Sequence, residues 1–194
     1  MKPRAPTGTI RPLAVGVALA VAVILPGGCG SAEPKSAATP SQLAQALRGA
    51  PPPLKRLYSH PNELVDGGVP AFKRQLAELR GYPVVVNKWA SWCGPCRSEF
   101  PYFQRIARRR GTKVAFMAVD SRDNKGDARK FLRKLPVPYP SFFDPDGKIA
   151  QAFRGDRVSP TTSFYDRKGG LVFTKQGGYA SVAALADDVS RYAR

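Results

Sequence analysis

The sequence predicts an α/β domain: a central mixed sheet of four to five strands with helices on both faces. Three observations carry this. Two Val-rich runs, "YPVVVNKWA" and "KVAFMAVD", are short and almost continuously apolar, as strands buried on both faces are. Each is followed by a segment with helical apolar spacing, so the two strands should run parallel. Near the end of the chain two more strand-like runs flank "DRKGG", which reads as a hairpin and adds antiparallel pairing.

The elements follow in order. "PAFKRQLAELRG" (70–81) places Phe72, Leu76 and Leu79 at helical spacing, with Pro70 at the start and Gly81 after the end. The first Val-rich strand comes next. "GPCRSEFPYFQRIARRR" is a helix with Phe100, Phe103, Ile106 and Ala107 on one side and Pro101 inside it, where a kink is expected. The second strand occupies 113–120. "KGDARKFLRKL" is a helix with Phe131, Leu132 and Leu135 apolar, "YPSFFD" a short extended piece, "DPDGK" a turn, and "KIAQAFR" one or two helical turns. After the hairpin, "SVAALADDVSRYA" is a helix capped by Ser181, with Val182, Leu185 and Val189 in register.

The region before residue 70 is different in kind. Lys2, Arg4 and Arg11 precede an uncharged apolar run at 13–25, which is shorter than the ~20 residues a membrane span needs. It fits the apolar stretch of a signal peptide covering 1–28, with an uncleaved anchor as the alternative. Cys29, after Gly27 and Gly28, resembles the lipidated cysteine of bacterial lipoproteins. That motif prefers a Leu-like residue where this chain has Pro26, and the other readings are a cysteine lost with the signal or a free thiol. Residues 29–69 are expected to be a small, polar, proline-bearing tether and a mostly irregular segment, with one short helix at 41–48. The domain proper is expected over 70–194.

With 194 residues, 43% of them hydrophobic, the chain can bury an ordinary core. Its net charge of +17 favours anionic surfaces, the outer face of an acidic membrane among them, and an exported chain is a poor candidate for nucleic acid. The densest cationic cluster, "RIARRRGTK", reads first as the solvated end of a helix, where cations suit the dipole.

Two of only 3 cysteines stand in "KWASWCGPCRSEF". A structural zinc site needs four ligands, and the chain offers one cysteine pair and 1 histidine, His60, which reads as an ordinary surface residue. Covalent haem attachment needs a histidine after the second cysteine, where Arg97 stands. A disulfide closing so small a loop removes little chain entropy, so it is a poor staple. The pair does sit where a parallel strand gives way to a helix, beside unpaired N–H groups and the positive dipole end that stabilise a thiolate. Redox chemistry is the reading that remains. Cys93, before the first helical turn, should be the exposed nucleophile. Cys96, one turn on, should resolve the mixed disulfide. Pro95 suits the first turn, Gly94 leaves the sulfurs uncovered, and Trp92 supplies a flat apolar surface beside them.

"WASWCGPC" resembles the thioredoxin active-site signature, and the element order matches the thioredoxin fold from about residue 70 onward. More narrowly, "VVVNKWASWCGPCRSEFP" resembles the exported TlpA/ResA-like branch, which includes the cytochrome c maturation thioredoxins. "VSPTTSFYD" resembles the segment that carries the family's cis-proline opposite the disulfide. The resemblance therefore implies a cis Pro160, with the backbone of Ser159 available to a substrate strand beside Cys93. An ordinary trans proline is the alternative. Where cytoplasmic thioredoxins bury an Asp, this chain has Asn87, which cannot exchange a proton. Glu99 matches the acid that the exported branch places after the second cysteine. Its expected role is to handle the proton of Cys96, the alternative being a solvated helix glutamate. The mid-domain stretch 120–153 matches the extra helix region of this branch. Lys88 departs from it, standing where an aromatic or apolar residue is usual, and is either peripheral or a local tuning charge.

The resemblance implies a membrane-tethered thiol–disulfide oxidoreductase outside the cytoplasmic membrane, acting as a monomer without cofactor or metal. Its partners would be exported protein thiols and disulfides and a membrane electron donor. The Gly-Pro pair between the cysteines resembles reducing thioredoxins and favours a reductase. An oxidant for folding secreted proteins is the alternative direction. A peroxidase is not favoured, because a thioredoxin-type pair is not the peroxidatic arrangement. From another class, a binding lipoprotein on an inert thioredoxin scaffold remains, against which the intact Cys93, Cys96 and Pro160 set counts.

Overall fold

In a computed structural model, the described residues are 45–194 together with Met1, Gly8, Thr39 and Gln42. All of these except Met1 and Gly8 belong to one compact unit, Ser36–Arg194. The signal segment apart from Met1 and Gly8, Cys29, and residues 41, 43 and 44 of the expected 41–48 helix fall outside the described residues; within that helix Gln42 and Gln45 are helical and 46–48 form a turn.

The sheet has six strands rather than four or five: β1 (Leu64–Val65), β2 (Val84–Trp89), β3 (Ala115–Ser121), β4 (Ser141–Asp144), β5 (Thr161–Tyr165) and β6 (Leu171–Gln176), in the order β1-β4-β3-β2-β5-β6. The pairs β1–β4, β4–β3 and β3–β2 are parallel, and β2–β5 and β5–β6 are antiparallel. The excess over the expected count comes at one edge. The short extended piece is a true strand, and β1, two residues long, is too short to leave a periodic pattern in the sequence.

The helices bounded entirely by described residues are α1 (Pro52–Leu57), α2 (Gly68–Glu78), α3 (Gly94–Arg110), α4 (Lys125–Lys134), α5 (Lys148–Ala152) and α6 (Val182–Tyr192). Pro101 lies within α3 without ending it. Both faces of the central strands are covered, since β2 and β3 are buried along their whole length. On one face Trp89 stacks on Phe131 of α4 (ring centroids 4.6 Å apart) and meets Phe100 of α3 edge-on at 5.3 Å. On the other, Phe72 of α2 meets Phe142 at 5.6 Å and Phe153 at 6.0 Å. Alternation along β2 assigns Val85, Asn87 and Trp89 to the α3 face, and Val84, Val86 and Lys88 to the opposite one.

The segment before residue 70, expected to be mostly irregular, contributes to this core. Leu47, Leu54, Leu57 and Tyr58 are buried. The Tyr58 hydroxyl donates to the Val114 carbonyl (3.0 Å) and accepts from the Phe116 N–H (3.1 Å), closing the start of β3. Asn62 holds the 132–139 stretch through its side chain and backbone: its amide donates to Leu132 O, its carbonyl accepts from Val137 N–H, and its own N–H donates to Tyr139 O. The hairpin is set by Asp166, whose Oδ1 accepts from the N–H groups of Lys168 and Gly170, with Gly169 at φ 84°.

Candidate active site

β2 ends at the carboxyl edge of the parallel strands, and the chain passes through Ala90, Ser91 and Trp92 into α3. Cys93 is the N-cap of α3, and its Sγ accepts the N–H of Cys96 at 3.2 Å. The cysteine sulfur thus takes the place a Ser or Asp oxygen usually holds at a helix start. Cys93 and Cys96 form a disulfide, with Cα atoms 5.3 Å apart. In this oxidised state both are buried, Cys93 at 3% exposure and Cys96 at 0%, so Cys93, expected to be exposed, is covered like its partner. The exposed group is Trp92, at 62%, held by its indole N–H on the Arg122 carbonyl (3.0 Å).

The approach to the disulfide is pinned on both sides. Asp123 accepts from both the N–H and the hydroxyl of Ser91 and from the N–H of Asn124. Arg97 donates to the Ser91 carbonyl at 3.0 Å while its guanidinium lies over the Phe131 ring. Asp123 was not legible from the sequence. Its partner is 32 residues away, and an Asp in "DSRDN" looks like any polar turn residue.

The Ser159–Pro160 peptide bond is cis. Pro160 is fixed by its carbonyl, which accepts from Gly177 N–H at 2.9 Å. A side-chain carbon placed on Gly178 would lie 3.4 Å from Pro160 Cγ, 3.5 Å from Glu99 Oε2 and 3.9 Å from Pro95 Cβ. The Gly178 backbone therefore adjoins the proline, the acid and the start of the cysteine helix. The backbone N–H and C=O of Ser159 have no hydrogen bond to other described residues.

Glu99 is fully buried on the same face of α3 as Cys96, three residues on, and is no solvated glutamate. Asn87 Nδ2 donates to its Oε1 (2.8 Å) and Tyr179 N–H donates to its Oε2 (3.0 Å). Burial pushes its pKa up to about 7, against the opposing pull of those two donors and the Lys175 charge. Lys175 is itself held on the carbonyls of Gly177 and Gly178. Such a carboxyl is poised to exchange a proton near neutrality.

Two further buried ionisable groups border the site. Asp120, paired in register with Trp89, is fully buried and neither of its oxygens has a hydrogen-bond partner. Burial first, then the Asp123 carboxylate close beside it and the Asp144 charge, push its pKa up to about 9, which favours the protonated acid near neutrality. Lys88 is buried and not peripheral. It lies opposite Thr161 across the β2–β5 pair, and burial, then the Arg122 charge, lower its pKa. Among the described residues no cluster of metal-ligating side chains occurs.

A disulfide at a helix N-cap, and a cis-proline and a buried acid that both adjoin the Gly178 backbone beside Pro95 of that helix, form one constellation, and comparison with known proteins finds its relatives. The redoxin family pattern matches residues 69–189. The chain belongs to the redoxin family. The thiol:disulfide interchange protein DsbE of Tatumella citrea is 32% identical to this redoxin over 153 residues, which are 77% of this chain and 76% of that one. The thiol-disulfide oxidoreductase ResA of Oceanobacillus iheyensis is 28% identical over 106 residues, 53% and 54% of the two chains. A solved structure from Chlorobium tepidum, described as a DsbE thiol:disulfide interchange protein, superposes with a TM-score of 0.55 at 30% identity, covering 60% of this chain and 83% of that one. The redoxin has the thioredoxin fold and is a thiol-disulfide oxidoreductase of the DsbE/ResA type.

Proposed function

We propose that this redoxin is an exported protein-disulfide reductase, tethered to the outer face of the cytoplasmic membrane through its N-terminal segment, with Cys29 as the lipidated residue. The observation that carries the thiol–disulfide exchange, in either direction, is the Cys96 N–H aimed at Cys93 Sγ from the first turn of α3. Once the pair is reduced, that N–H and the helix dipole stabilise a Cys93 thiolate.

The thiolate attacks one sulfur of a client disulfide and releases the other as a client thiolate, which takes up a proton. Cys93 is then joined to the client. Cys96 gives its proton to the Glu99 carboxylate and attacks Cys93, freeing the second client thiol and leaving the Cys93–Cys96 disulfide. Two electrons have passed from this chain to the client, and a membrane electron donor must restore the dithiol. The unpaired Ser159 backbone offers a donor and an acceptor to an extended client segment, and Trp92 offers it an apolar face. The Gly-Pro pair between the cysteines supports the reducing direction. Exported proteins with cysteine pairs, cytochrome c precursors among them, are the proposed clients.

The test is a Cys96→Ser variant. With its resolving thiol gone, it should accumulate a mixed disulfide between Cys93 and exported proteins, released by dithiothreitol. A Cys93→Ser variant should trap none. Equal trapping by both variants, or by neither, would sink the assignment of roles.

A further inference from the structure

The end of the molecule remote from the disulfide carries a concentration of charge that the redox chemistry does not use. α3 begins at Cys93, beside the carboxyl edge of the parallel strands, and ends about 25 Å away. Its last turn presents Arg108, Arg109 and Arg110, all exposed, and Lys113 follows before β3 begins at the opposite strand edge. The guanidinium of Arg110 donates to Ser190 Oγ at 3.1 Å, which brings Arg191, near the end of α6, to the same place. The N-terminal part of the described chain arrives there as well. A side-chain carbon on Gly111 would lie 2.5 Å from Leu47 Cδ2, so Leu47, and with it exposed Arg48, sits against the end of α3.

Residues 45–58 and 105–114 contain no Asp or Glu. None of these six cations is paired with a carboxylate among the described residues. One or two cations would suffice to complement a helix dipole, and this many unpaired ones, with Asp187 and Asp188 of α6 the nearest carboxylates in sequence, repel one another. A fixed anionic plane answers that repulsion.

We infer that this face is a seat for an anionic lipid surface, and that seating it there turns the Cys93–Cys96 disulfide away from the bilayer towards exported clients. The choice of a lipid surface over another polyanion rests on charge and on the place where the N-terminal segment joins the domain. It therefore leans on the proposed tether, but the lipid contact is measurable apart from it.

The full chain is mixed with vesicles of phosphatidylcholine alone or of phosphatidylglycerol with phosphatidylcholine. Exposed lysines are then acylated by a soluble reagent and read by peptide mass spectrometry. Labelling of Lys113 should fall about fivefold on the anionic vesicles relative to the neutral ones, and recover in about 1 M salt, where screening shortens to about 3 Å. Lys148, exposed at the carboxyl strand edge, should be labelled equally in both. An R108E/R109E variant should lose the protection of Lys113 and keep its disulfide exchange. Flotation with the neutral vesicles reports the N-terminal anchor separately, so protection of Lys113 without such flotation would support the seat while removing the tether. Equal labelling of Lys113 on both vesicles, protection that includes Lys148, or equal protection by a soluble polyphosphate would overturn the inference.

Discussion

Glu99 shows how one residue joins the pair to its chemistry. A carboxyl whose folded pKa is raised from 4.5 to about 7 binds its proton more tightly in the native state than in the unfolded one. The sign follows: its contribution to stability is whole below the unfolded value and is lost as pH rises through about 7. At pH 8 the loss is roughly 3 kcal/mol, from the shift at 1.36 kcal/mol per pH unit. Glu99→Gln should therefore leave stability at pH 4 little changed and raise it at pH 8. The replacement fits, because the buried Asn87 Oδ1 has no partner and a turned Asn87 amide can accept from the new side chain. In the reduced protein, the same variant should remove an inflection near pH 7 from the rate of disulfide exchange. Parallel stability curves together with an unchanged rate profile would strip Glu99 of its role. The sequence indicated this residue only through the motif it follows. Its second partner, Tyr179, lies 80 residues on and was invisible to any local pattern.

Elements whose apolar positions repeat at a fixed period were readable, and β2, α3, β3, the hairpin and α6 fall where that periodicity places them. α1 and β1 were not readable. Three prolines and mixed polarity hide a six-residue helix, and two residues cannot show alternation. Long-range bonds hold this region in place, chiefly the Tyr58 hydroxyl bridging Val114 and Phe116. Tyr58→Phe keeps the ring but leaves a buried carbonyl and a buried N–H without that partner, and should cost roughly 2–4 kcal/mol. A lowered denaturation midpoint with an unchanged slope checks this. A loss within a few tenths of a kcal/mol would mean that residues 45–65 are an appendage to the domain.

At the scale of the molecule, the fold brings the Cys-Gly-Pro-Cys turn, the loop ending at Pro160 and the Gly177–Gly178 backbone to one edge of the sheet, although they lie far apart in the chain. The cysteine pair and its likeness to thioredoxins made that edge legible. The buried Asp120 and the Asp123 clamp on Ser91 were not, since both depend on which strands become neighbours. The central claim is the direction of electron flow, and it is tested most directly by the reduction potential of the Cys93–Cys96 pair, equilibrated with glutathione in the intact protein. The account predicts a value near the reducing, thioredoxin end of the range, about −270 mV. A value near the DsbA end, about −120 mV, would make the protein an oxidant of newly exported chains and contradict it.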